Sequence, residues 1–89
     1  RDLRNRRLLK LGEIYIQKLK LYPAIAVGQE VLKNDFLNEE GHRFLIKCYL
    51  VAGEKARAVN QYKKCVEIYR RELDCDPSDE TLKLYHKLK

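Results

Sequence analysis

The sequence predicts an all-α protein, a stack of antiparallel helix pairs with about five helices. Three observations predict it. The chain repeats itself at an interval of 34 residues: Leu11, Tyr15, Ala24, Ile25 and Leu32 correspond to Leu45, Tyr49, Ala58, Val59 and Val66. A period of this length belongs to paired helices that bury their apolar faces by stacking on one another. Apolar residues recur three and four apart, the spacing of one face of a helix, and no segment alternates as a strand does. Finally, 45% of the residues are hydrophobic and 36% charged, with only four Gly and two Pro in 89. That balance favours helix over both sheet and disorder.

The first helix is expected over residues 3 to about 21. Leu8, Leu11, Tyr15 and Leu19 form one apolar line, while Leu9 and Ile16 form a second, as in a helix covered on two sides. Gly12 lies among them, where a missing side chain admits a neighbour. Tyr22 precedes a proline and should leave the helix. Pro23 is then expected to open the second helix, over about 23–34, since a proline fits the first helical position. Ala24 and Gly28 are small and four apart, which suits close packing on the first helix; Ile25, Val31 and Leu32 complete the apolar face.

Asn34 and Asp35 end that helix, and Asn38 is the expected cap of the third, with Glu39 and Glu40 favoured in its first turn. The third helix, about 39–52, should bury Phe44, Leu45, Cys48, Tyr49 and Ala52. Glu39 and Arg43 are placed to pair on its wet face, and Gly53 is placed as a left-handed stop. The fourth helix, about 54–74, is the most regular. Val59, Tyr62, Val66, Tyr69 and Leu73 alternate three and four apart, with Ala58 and Cys65 alongside. Val66, in the middle of that stripe, is expected in the core. Its length breaks the 34-residue period. Asp76 to Glu80 reads as a turn and a helix start, with Ser78 as cap and Asp79 and Glu80 in the first turn. A last helix carries Leu82, Leu84, Tyr85 and Leu88.

No run approaches the roughly 18 apolar residues of a membrane-spanning helix, so no membrane contact is expected, and there is no signal-peptide pattern. The chain contains no Met and opens in charged residues, which reads as a segment of a larger protein. Its three cysteines, Cys48, Cys65 and Cys75, fit neither a disulfide framework nor a zinc site. Cys48 and Cys65 fall on apolar faces and are expected to act as small hydrophobes, with Cys75 more exposed. A reducing cytoplasm suits them. The net charge is +6. Most of the excess lies in the first helix, where Arg1, Arg4, Arg6, Arg7, Lys10, Lys18 and Lys20 face only Asp2 and Glu13. Such a surface attracts phosphates or an acidic partner without reading sequence. Lacking interleaved aromatics, it is read as a solvated face.

No catalytic, metal, cofactor or DNA-binding residue is expected. His42 and His86 lie far apart without a partner at ligand spacing, and no Gly-rich phosphate loop or Ser-centred elbow is present. The adjacent pairs Glu39-Glu40 and Asp79-Glu80 point apart on a helix. His42, in a first turn, is expected to cap or to face solvent. Tyr15, Tyr49, Tyr62 and Tyr69 occupy core-periodic positions and are expected to pack rather than to line a groove.

Thirty-four residues is also the length of the tetratricopeptide helix–turn–helix unit. Asn34-Asp35, Glu39-Glu40, His42-Arg43, Tyr49, Gly53, Ala58-Val59, Gln61-Tyr62 and Cys65 form an ordered set with Glu72-Leu73, Pro77-Ser78, Glu80-Thr81 and Leu84-Tyr85. This set resembles the bacterial transcriptional activator domain, the tetratricopeptide-like module of antibiotic-regulatory-protein-type transcriptional regulators, in its C-terminal part. The resemblance covers about residues 34–88 and is looser over the first 33; Asn34-Asp35-Phe36 replaces the Asp-Pro common before the third helix. It implies that residues 1–89 are a regulatory domain of a larger protein. Its partner would be a protein: its own DNA-binding domain, a second protomer or the transcription machinery. DNA reading would be carried by an upstream winged-helix domain absent from this chain. The other reading is a general tetratricopeptide scaffold that binds a peptide or protein outside transcription. Peptide-binding repeats display Asn, Lys and Arg on the concave face of their first helices. The candidates, Lys18, Lys47 and Asn60, are too sparse and unordered to favour it.

Overall fold

The computed structural model describes residues 2–89 as four long helices and two single turns of helix: α1 (Asp2–Gln17), α2 (Leu21–Asn34), α3 (Glu39–Val51), α4 (Lys55–Leu73), α5 (Asp79–Leu82) and α6 (Tyr85–Leu88). Among the described residues there is no strand, and no helix is long and apolar enough to cross a membrane. The all-α stack is as expected. Its last helix is divided: Lys83 and Leu84 keep right-handed helical backbone, but Leu84 N–H bonds back three residues, to Thr81 O at 3.0 Å.

The repeat is written most clearly in the two hairpin corners. After α1, Leu19 N–H donates to Ile16 O at 2.9 Å and Lys20 N–H to Tyr15 O at 2.8 Å. After α3, Gly53 N–H donates to Leu50 O at 3.1 Å and Glu54 N–H to Tyr49 O at 2.8 Å. Both are the paired bonds that close a helix through a left-handed residue. Leu19 has φ 57° and Gly53 φ 75°. Tyr15 and Tyr49 are therefore equivalent, and α2 and α4 restart at equivalent positions, Leu21 and Lys55. The first corner comes earlier than expected: α1 stops at Gln17, and Pro23 is the third residue of α2 rather than the first. A proline costs nothing there, since the N–H groups of a helix's first turn have no partner within the helix.

The helices pack in chain order, α1 on α2, α2 on α3 and α3 on α4, with α1 also touching α3. The core gathers on α3, where Phe44, Leu45, Ile46, Cys48 and Tyr49 are all buried. Two glycines make room for it. A Cβ on Gly12 would collide with the Phe44 ring, and one on Gly28 would stand 2.6 Å from a Leu45 methyl. Gly28 thus admits α3, not α1 as its spacing suggested. In α1 the buried line is Asn5, Leu9, Gly12 and Ile16. Leu11 is 40% exposed and Leu19 73%, which corrects the apolar line expected there. The same holds for α4. Its buried residues are Ala58, Cys65 and Ile68, whereas Val66 is half-buried and Leu73 exposed. As the outermost long helix, α4 is fully covered only on the side that meets α3. Burial pushes the Cys48 and Cys65 thiols up to about 12, so both stay neutral as expected of core cysteines; Cys75 is exposed.

Candidate interaction groove

A groove of about 570 Å³ runs along α3, with α1 as one wall and the C-terminal turns as the other. Leu9, Phe44, Ile46, Leu50 and Leu84 give it an apolar lining. Its polar residues come from all three walls: Arg6, Lys10 and Glu13 from α1, Glu40, Arg43 and Lys47 from α3, and Glu80 and Lys87 from α5 and α6. Part of this charge is neutralised internally. Lys47 Nζ meets Glu13 at 2.7 Å, and Arg43 meets Glu80 at 3.5 Å. Arg6, Lys10 and Lys87 form no ion pair among the described side chains.

The groove continues into a smaller recess of about 160 Å³ that shares Arg6, Leu9 and Glu40 with it and adds Asn5 and Asn38. Asn5 is 1% exposed. Among the described residues neither its carboxamide oxygen nor its nitrogen has a hydrogen-bond partner. A buried amide without partners costs about 1–3 kcal/mol relative to a paired one. Asn38 is satisfied differently: its Oδ1 accepts from Gly41 N–H at 2.8 Å, which confirms it as the cap of α3.

The C-terminal wall is tied down by a carboxylate. Glu39 accepts from Arg43 Nη1 at 3.0 Å, from Ser78 N–H at 3.0 Å, and from the hydroxyls of Ser78 and Thr81. Arg43 Nη1 also donates to Thr81 Oγ1 at 3.0 Å, and Thr81 is fully buried. Burial alone would raise the pKa of Glu39. The hydrogen bonds from Ser78 and Thr81 and the charge of Arg43 outweigh it and hold the carboxyl below its ordinary value. The Glu39–Arg43 pair is therefore a partly buried tie between segments, not the wet pair expected. Ser78 has the extended backbone of a cap, but its side chain caps nothing and turns to Glu39 instead.

His42 is neither a cap nor exposed. It is 1% exposed, and its Nε2–H donates to Phe36 O at 2.9 Å while its Nδ1 accepts from Gln61 Nε2 at 2.8 Å. One neutral tautomer satisfies both bonds. Burial pushes its pKa below the ordinary value. With Tyr69 Oη donating to Leu37 O at 2.8 Å, it fastens the α2–α3 loop to α4. The burial of His42 was legible in principle, since it lies on the line of Leu45 and Tyr49, three and seven residues on.

The basic N-terminal residues do not act as one patch. Arg4 pairs with Glu30 of α2 at 3.3 Å. Arg6 and Lys10 turn to the groove, Arg7 lies with Leu8 and Leu11 on another side, and Arg1 falls outside the described residues. Of the three peptide-site candidates, Lys47 lines the groove, while Lys18 and Asn60 are exposed elsewhere. Asn5 has no place in the sequence reading, which treats Arg6, Lys10 and Arg43 only as surface charge. Their signal lay in the repeat, which puts Arg6 opposite Glu40 and Glu13 opposite Lys47 on equivalent faces of α1 and α3. Tyr62 and Tyr85 stack loosely, with ring centres 5.9 Å apart, and line a second, shallow surface with Val66 and Leu82. Among the described residues no three His, Cys, Asp or Glu side chains gather as a metal ion would require.

No curated protein and no solved structure matches the chain. Residues 2–89 match the family model described as the bacterial transcriptional activator domain. The match spans the first helix pair as well as the ordered set of residues in the second. The chain therefore belongs to the bacterial transcriptional activator domain family, as a regulatory domain of the transcriptional-activator type.

Proposed function

We propose that this chain is the non-catalytic, protein-contacting part of a cytoplasmic bacterial transcriptional regulator whose DNA reading is performed by a separate winged-helix domain. The observation that carries the reading is the groove: an apolar lining with unpaired cations at its margin, in a chain of this family. Apolar surface rimmed by charge suits a protein contact. The groove's walls are packed helices and short turns rather than an element free to enter a major groove and present side chains to bases, which sequence-specific DNA reading needs. The three cations at the groove belong to helices committed to packing.

Tethering tests the proposal. The 89 residues are fused to an unrelated DNA-binding domain and placed upstream of a reporter promoter. A change in transcription of several-fold over the unfused DNA-binding domain is expected. An unchanged reporter, with the fusion present at equal level, would overturn it.

A further inference from the structure

We propose that the groove between α1, α3 and the C-terminal turns binds an extended, acidic polypeptide segment bearing aliphatic or aromatic anchors, and that Asn5 hydrogen-bonds a peptide group of that segment. This deepens the protein-contacting reading and rests on it.

Three observations converge on this occupant. The first is charge. Lys47 and Arg43 have internal carboxylate partners, but among the described side chains Arg6, Lys10 and Lys87 have none, and the groove's lining holds five cations against three carboxylates. The second is the lining, where Leu9, Leu50 and Leu84 give apolar contact of the kind that anchors side chains. The third is Asn5, which lines the recess that continues the groove and whose carboxamide oxygen and nitrogen have no hydrogen-bond partner among the described residues. A carboxamide offers one donor and one acceptor side by side, the complement of a peptide group's C=O and N–H. An occupant with a free backbone would relieve the cost of that buried amide; a folded helix has already paired its backbone internally and would not.

Nucleic acid fits less well. Phe44, the groove's aromatic residue, is buried to 4% exposure and presents no open ring for a base to stack on. Glu40, without an ion-pair partner among the described side chains, lines the groove and its recess together with Arg6, where it would oppose a continuous phosphate chain. A peptide can place its carboxylates selectively and leave that position neutral.

The test uses the complete 89-residue chain against a phage-displayed library of random 12-residue peptides, followed by fluorescence anisotropy with the synthesised consensus. Enrichment of Asp and Glu interspersed with Leu, Ile or Phe is expected. The double substitution Lys10→Glu, Lys87→Glu should weaken the consensus peptide at least tenfold, and added salt should weaken it for the wild type. Asn5→Leu should weaken it about tenfold while leaving the melting temperature unchanged or raised, because the removed amide has no partner to lose. That pairing separates a peptide contact from a structural role. Absence of enrichment, enrichment of basic or uncharged peptides, or binding indifferent to these substitutions would overturn the proposal. So would a 12-nucleotide single strand that competes as well as the peptide does. If the tethered reporter responds while the peptide result fails, the groove assignment falls and the regulatory reading stands; the reverse outcome removes the reading and keeps the site.

Discussion

Leu19 and Gly53 hold the same corner of the same repeat, yet only one of them suits it. A left-handed backbone costs an ordinary L-residue roughly 1–2 kcal/mol, a cost that glycine escapes. Leu19 is largely exposed, so Leu19→Gly gives up little burial and should stabilise the protein by about 0.5 kcal/mol after the added unfolded-state entropy of glycine. The opposite change, Gly53→Leu, adds a Cβ with nothing within 4 Å of it and should destabilise chiefly through the backbone. Urea titrations that moved both midpoints the same way would contradict this. One buried and one partly buried titrating residue set the pH response. The folded state holds His42 neutral, with its pKa below the ordinary value, so the unfolded chain takes up the proton first. Stability is then full above about pH 6.5 and falls as pH drops below it. Glu39 is held ionised; its contribution is present above about pH 4.3 and is lost as pH falls through the lower folded value. Urea midpoints from pH 8 to 3 should decline in two stages. His42→Gln should abolish the upper stage and Glu39→Gln the lower; a flat profile between pH 7.5 and 5.5 would be contrary to the buried-neutral histidine.

Among the elements, α4 shows where periodicity informs and where it misleads. Its apolar stripe correctly announced a long helix, but the fully buried line is displaced from Val66 to Ala58, Cys65 and Ile68. Ala58→Asp would bury an unpaired carboxylate, at several kcal/mol, a large part of the stability of a domain this small. Val66→Asp should cost only about 1 kcal/mol, since the side chain borders an open surface. Overlaid thermal melts for the two variants would reject that distinction. Gly28→Ala should cost about 1–3 kcal/mol, because the added carbon stands 2.6 Å from Leu45. The helix pairs, the Asn38 cap and the Gly53 stop were legible because each is local: period, cap chemistry and backbone freedom act within a few residues. The groove and the ties to Glu39 were not, because they join α3 to a segment about forty residues away. Nothing local in Ser78 says that its hydroxyl turns away from its own helix.

Across the whole molecule, the excess positive charge is divided by the packing of α1 between an ion pair, the groove and an outer side. DNA affinity should accordingly be weak and indifferent to sequence. In anisotropy titrations at physiological ionic strength, where the Debye length is about 8 Å, promoter and scrambled duplexes should bind alike, and both should fade steeply with salt. A preference for one promoter would place DNA reading within these 89 residues.

The Glu39 tie has a consequence for motion. One wall of the groove is a pair of four-residue turns, too short to be stable alone. Its attachment centres on the Glu39 carboxylate, which holds Ser78 and Thr81, with Arg43 reaching Thr81 and Glu80, Tyr85 against Tyr62, and Leu88 buried. The wall should thus act as a hinged jaw, opening at a free energy below that of global unfolding. Backbone amides of residues 78–88 should exchange with deuterium well before those of α3. Whatever fills the groove must favour the shut jaw, and by linkage a shut jaw must favour whatever fills the groove.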